Sequence, residues 1–211
     1  MSKHLFFFAV LLLMTNCTSK QISADSYAEA INKHRKQYKS EFTKSPHSPL
    51  SKQDLKNLDF FAADAKYACD CTVEILQDQK PFQMKTYSDQ EKPYVRYASV
   101  NCELGSEHIN LVVYKSISLM SMPQYKDHVF LPFMDSTNGD TTYGGGRYLD
   151  LDAKDFESGE TIIIDFNKSY NPYCAYSDGY NCPIPPPENH LEVAINAGEK
   201  MYKGRITVNK A

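Results

Sequence analysis

The densest collection of side chains able to do chemistry lies between Asp165 and His190, in DFNKSYNPYCAYSDGYNCPIPPPENH. Asp165, Asn167, Tyr170 and Asn171 stand close together at its start, where the apolar run IIID gives out. A strand end with the loop it supports is a common place for binding groups. Cys174 and Cys182 follow, eight positions apart in a proline-rich loop. Three chemistries are open to them: a disulfide, a reactive thiol with His190 as its base, or two zinc ligands. Zinc calls for paired CxxC or HxxxH spacing, which is missing. A small loop closed by a disulfide is stabilised by about 2–3 kcal/mol, so the pair is read as Cys174–Cys182.

A second candidate precedes it, TYGGGRY from Thr142 to Tyr148. Three glycines let backbone N–H groups approach a ligand, and Arg147 can fork onto a carboxylate or phosphate. The competing reading is a tight structural turn with Arg147 paired to a buried carboxylate such as Asp165. The expected ligand site is a cleft in which Arg147 supplies charge, Asp165 orients it, Tyr143 and Tyr170 form walls, and Asn167 and Asn171 add hydrogen bonds. It predicts a small anionic ligand. The alternative is a hydrolase in which Asp135 or Asp165 works with His190 as an acid–base pair. DSTNGD offers Asp135, Asn138 and Asp140 as oxygen donors but lacks EF-hand spacing, and a solvated turn is the simpler reading. Catalytic residues are left unassigned, and no metal or cofactor is expected.

The start of the chain gives an address. MSKHLFFFAVLLLMTNC has a short basic beginning and an apolar run from Leu5 to Met14. Ten apolar residues are too few for a membrane-spanning helix, which needs about 20, and suit a secretory signal. Cys17 directly after the run resembles the lipobox cysteine of bacterial lipoproteins, with Leu13 and Thr15 in the pattern and Asn16 departing from it. Residues 1–17 are therefore expected to be a signal ending at an acylated Cys17, residues 18–25 a tether, and 26–211 one domain. By analogy with enterobacterial sorting, Thr18 points to the bacterial outer membrane, with the domain facing the periplasm or the surface. The partner is then the membrane, through a lipid anchor at Cys17. A net charge of -3 without a basic patch speaks against nucleic acid.

The elements that must position these groups are legible in outline. Tyr27, Ile31, Tyr38 and Phe42 form a helical stripe, capped by Asp25 or Ser26 and stopped by Pro46 and Pro49. Ser51 and Asp54 suggest a capping box for a second, short helix. From Tyr67 the period changes to two. Strands are expected in KYACDCTVEIL, PFQMKTY, YVRYASVNCEL, HINLVVYK, VFLPFM, RYLDLD, ETIIIDF, LEVAI and GRITV, with Gly105-Ser106 as a hairpin turn. Pro132 marks VFLPFM as an edge or bulged strand. Alternation puts Asp150 and Asp152 on a wet face. Cys102 shares a core face, so a cross-strand bond from Cys69 or Cys71 is open, with one thiol left over. The fold class is mainly β: an antiparallel β-sandwich or barrel with one or two N-terminal helices packed outside.

Four segments carry a family likeness: Thr142–Leu149, Asp165–Cys174, Cys182–Asn189 and Ala197–Lys200. Their TYGxGRxL, DFNxxYNPxC, PPxEN and AGEK patterns resemble the bacterial domain of unknown function 1684. The likeness covers the C-terminal third at motif strength and extends more loosely back to about Pro49. It implies no activity, and it marks these segments as the place to look.

Overall fold

The computed structural model describes residues 23–157 and 159–207. Cys17 and the segment expected to be a signal lie outside the described residues. The chain opens with helix α1, Ala24–Phe42. Ser23 caps it, its Oγ accepting from the Ser26 N–H, which satisfies one of the orphan donors of the first turn. The helix thus begins two residues inside the segment expected as a tether. Ser51 and Asp54 do form a cap, the Ser51 N–H donating to Asp54 Oδ2 at 2.9 Å, but the element it opens is a single 3-10 turn, Asp54–Asn57.

The body is a mainly β, antiparallel sheet curled into a half-barrel. Its strands are β1 Ala68–Ile75, β2 Phe82–Lys85, β3 Glu91–Leu104, β4 Glu107–Ser116, β5 His128–Phe133, β6 Arg147–Asp152 and β7 Thr161–Asp165. The order is β6-β5-β4-β3-β1-β7, with β2 also on β3. Gly105-Ser106 makes the β3–β4 hairpin, with Gly105 at φ 64°. The two edges approach each other beyond β7, where Tyr170 pairs with Tyr148 of β6: each residue's N–H donates to the other's carbonyl, at 2.9 and 3.0 Å. Helix α1 lies over this crossing segment.

Alternation along the strands divides the side chains between two faces. One carries the main core, including Val100, Leu111, Val113, Leu131, Phe133, Ile164 and Phe166. The other buries Met84, Tyr94, Tyr114, Phe130 and Tyr148. Cys71 and Cys102 stand directly opposite in the β1–β3 register and form a disulfide, while Cys69 remains a buried free thiol. Cys174 and Cys182 are also bonded.

Three expectations about strands change. β5 is an interior strand, although Pro132 lacks the N–H a ladder needs. Pairing of β4 with β5 holds at Tyr114 and Phe130, and the next pair would set Val112 against Pro132. There the fully buried Asn189 inserts its side chain. Its Nδ2 donates to the carbonyls of Val112 and Pro132 at 2.8 and 2.7 Å, and its Oδ1 accepts from the Val112 N–H at 2.7 Å. The proline-rich segment therefore mends an interior seam, and its start also pairs with the end of β2, where the Ile184 N–H donates to the Lys85 carbonyl at 2.8 Å. LEVAI alternates in burial as a strand would, yet it joins no ladder. GRITV contributes, within the described residues, an isolated bridge between Thr207 and Ser177.

Candidate functional site

Arg147 helps explain why LEVAI needs no strand partner. It is fully buried and takes the Ile195 carbonyl, while Met134, Asp135 and Ser136 serve the Leu191 N–H, the Ile195 N–H and the Val193 carbonyl. Nη1 donates to the carbonyls of Ala197 and, at 3.3 Å, Glu199; Nη2 donates to the carbonyl of Ile195 at 2.8 Å and to Asp135 Oδ2 at 2.7 Å. Asp135 in turn accepts on Oδ1 from the N–H groups of Thr137 and Ile195. Burial lowers the guanidinium's proton affinity and Asp135 counters it. The glycines before Arg147 serve close packing. Gly146 sits at φ 83°, and a Cβ there would lie 2.6 Å from the Phe133 carbonyl oxygen. TYGGGR is therefore the structural turn of the two readings, with Asp135 and not Asp165 as the partner. Arg147 offers no charge to an anionic ligand.

The other sequence candidates separate into distinct places. Asp165 accepts from the Tyr27 hydroxyl at 2.9 Å and from the Asn167 backbone and side chain at 3.0 Å, and Asn167 Nδ2 also reaches the Asp64 carbonyl. These bonds fasten α1 and the start of β1 to the end of β7. Tyr143 packs against the α1 cluster, with its ring 6.5 Å from that of Tyr87. Asn171 donates its backbone N–H to Glu199 Oε2 at 2.9 Å. His190 bonds the Pro185 carbonyl at 3.0 Å. Asp135, Asp165 and His190 are thus each committed to different partners, and the expected acid–base pair is not assembled. Of the expected set, Tyr170 alone lines the cleft described next.

That cleft has a volume of about 390 Å³ and lies between α1, β6 and the loop that Cys174–Cys182 closes. Each element supplies groups for a local reason. On α1, Tyr38, Glu41 and Phe42 share one face through i, i+3 and i, i+4 spacing. On β6, Tyr148 and Asp150 share the outward face through period two. The segment leading into the stapled loop supplies Tyr170 and Tyr173, the loop itself Tyr180, Asn181 and Cys182, and β3 supplies Lys92. Six rings touch in sequence around it. Centroid separations are 5.9 Å for Tyr148–Tyr170, 5.7 Å for Tyr170–Tyr38, 5.1 Å for Tyr38–Phe42, 5.7 Å for Phe42–Tyr173 and 5.2 Å for Tyr173–Tyr180. Edge-on and tilted contacts of this kind are the favoured aromatic geometries.

Most of the phenol hydroxyls are turned to acceptors in the protein. Tyr170 donates to Asp150 Oδ2 at 2.8 Å, Tyr180 to the His47 carbonyl at 2.8 Å, and Tyr148 to the Pro183 carbonyl. Tyr38 donates at 3.0 Å to Glu199 Oε2. Glu199 is fully buried behind the belt and also accepts from Tyr176 at 2.8 Å. Burial pushes its carboxyl up to about 7, against the hydrogen bonds from Asn171, Tyr176 and Tyr38. Burial, then Asp150, raises the Tyr170 phenol. Lys92 donates to the Asn181 carbonyl at 2.6 Å, and burial lowers its ammonium. Asp150 Oδ1 lies 2.8 Å from His128 Nε2, and His128 Nδ1 is buried without a partner among the described residues. Among the described residues no group of three or more His, Cys, Asp or Glu is placed to hold a metal ion.

The family pattern described as "Protein of unknown function (DUF1684)" matches residues 53–200. The chain belongs to this family. Its matched span carries β6, the stapled loop, Asn189 and Glu199, whereas Tyr38, Glu41 and Phe42 on α1 precede it. The fold is also similar to the solution NMR structure of an uncharacterized protein from gene locus rrnAC0354 of Haloarcula marismortui. The two are 29% identical with a TM-score of 0.64, over 83% of this chain and 95% of that one. No curated protein matches the chain.

Sequence reasoning missed Tyr38, Phe42, Tyr148, Tyr173, Tyr180 and Glu199 as site residues. Signals existed for some: Tyr38 and Phe42 are spaced i, i+4 on the helical stripe, and Tyr148 shares with Asp150 the face that alternation assigns to solvent. Nothing local ties those two elements to the stapled loop.

Proposed function

We propose that the protein is a lipid-anchored envelope protein whose domain binds a small ligand in the six-ring cleft. The observation that carries this reading is the continuous belt from Tyr148 to Tyr180 around a space of about 390 Å³. Ligand sites are typically concave, largely apolar and a few hundred Å³ in volume, with a small number of placed polar groups. Asp150, Glu41 and Lys92 are those groups here. The stapled loop and α1 hold the walls, so the site is preformed rather than assembled on binding.

Envelope location is supported by the apolar run from Leu5 to Met14, separated from Cys17 by two residues, and by two disulfides, which persist in oxidising compartments. Anchoring at Cys17 and placement in the outer membrane belong to the same proposal. Binding is favoured over the hydrolase reading because the groups that reading needs, Asp135, Asp165 and His190, are each engaged with different partners.

The test is saturation-transfer NMR with a mixed set of neutral, cationic and anionic fragments, on the protein and on Tyr173→Ala. Fragments that bind the protein and lose their signal with the variant support the site. An empty screen, or binders indifferent to Tyr173, would remove it. Circular dichroism on the variant separates loss of the cleft from loss of the fold.

A further inference from the structure

Resting on the reading of the cleft as a binding site, we infer that its occupant is an organic cation, of the quaternary or alkylated ammonium type. Three features of the cleft converge on this. The first is the wall itself, six aromatic rings in unbroken contact. Aromatic faces carry negative quadrupole density, and clustered rings are the recognised way to hold an ammonium that has no N–H to donate. The second is charge. Two carboxylates line the space, Glu41 and Asp150, against the single ammonium of Lys92. That ammonium is drawn to one side by the Asn181 carbonyl. Arg147, the group that would have favoured an anion, is sealed in the core.

The third feature is the direction of the hydroxyls. Tyr38, Tyr148, Tyr170 and Tyr180 all donate to protein acceptors. A sugar or other polyol would look to these phenols for donors, and those are already spent on the scaffold. A bulky cation needs none of them, because it is held by ring faces and by opposite charge. The bonds also fix the rings: Asp150 holds Tyr170, and Glu199 with Tyr176 holds Tyr38.

The measurement is isothermal titration of three probes of nearly equal shape: choline, its uncharged isostere 3,3-dimethylbutan-1-ol, and 3,3-dimethylbutanoate. Choline should bind about tenfold more tightly than the alcohol, the preference expected of a cation–π site of this kind, and the carboxylate should not bind measurably. Asp150→Asn, whose amide oxygen can still accept from Tyr170, should weaken choline by about two- to fivefold, as for a partly exposed charge pair, and weaken the alcohol by less. Equal affinity for choline and the alcohol would overturn the cation assignment while leaving the cleft a binding site. Preference for the carboxylate would do the same. If none of the three binds and the fragment screen is also empty, the binding reading itself falls.

Discussion

Replacing Arg147 with alanine should break the fold rather than a binding function. The magnitude follows from what the guanidinium touches. Among the described residues Asp135 has no other charged partner for Oδ2, and both side chains have zero exposure. Removing one member of such a pair strands a buried charge at about 3–5 kcal/mol. The carbonyls of Ile195, Ala197 and Glu199 lose a donor as well, at about 1 kcal/mol each if they cannot reach water. Allowing for non-additivity, the loss is about 5 kcal/mol or more, comparable with the whole stability of a marginal domain. For a chain of this size that is a fall in Tm of roughly 10 °C or more. Arg147→Lys keeps the charge but cannot fork onto four acceptors, so it should be intermediate. The pair Arg147→Met with Asp135→Asn should cost less than the sum of the singles, because neither charge is then left alone. The assay is thermal and urea unfolding followed by circular dichroism for the parent, Arg147→Ala, Arg147→Lys, the singles Arg147→Met and Asp135→Asn, and their double. An Arg147→Ala protein within about 2 °C of the parent Tm would refute the reasoning, as would strictly additive singles.

Other predictions follow from single groups. Glu199 binds its proton more tightly in the fold than in the open chain, about 7 against 4.5, so its contribution is fully present below the lower value and is lost as pH rises through about 7. The change is on the order of 3 kcal/mol, and Glu199→Gln should flatten stability between those limits; an unchanged pH profile would count against it. His34, lowered by burial and Lys168, tilts the other way, so the difference between variant and parent isolates Glu199. Asn189→Ala leaves the Val112 and Pro132 groups unpaired in a buried seam and should cost about 2–4 kcal/mol in urea unfolding; a cost below about 1 kcal/mol would mean that water replaces the amide. Cys17→Ser should abolish incorporation of labelled palmitate in cells, and retained label would end the anchoring proposal.

What was legible in the sequence was whatever depends on neighbours. The β3–β4 hairpin was readable because Gly105 suits a positive φ, and the face shared by Cys71 and Cys102 because strand alternation has a period of two. LEVAI marks the boundary of that method. Its alternation reports burial correctly, since Ile195 is inside and Glu192 outside, but burial is not pairing. A side chain 48 positions away, Arg147, meets the Ile195 carbonyl. Pro132 misled for the same reason, because the group that rescues the seam is Asn189, 57 positions on. The cleft was the least visible. It joins a helix face, a strand face and a stapled loop that come together through tertiary packing, and each ring taken alone looks like ordinary core.

The most direct test of the central claim, that the belt and not the TYGGGR turn is the site, is an NMR titration of tyrosine ring resonances with choline. The account predicts that Tyr38, Tyr148, Tyr170, Tyr173 and Tyr180 shift together with one dissociation constant, while Tyr67 and Tyr143 stay in place. Shifts confined to Tyr143 and its neighbours, with a silent belt, would contradict it.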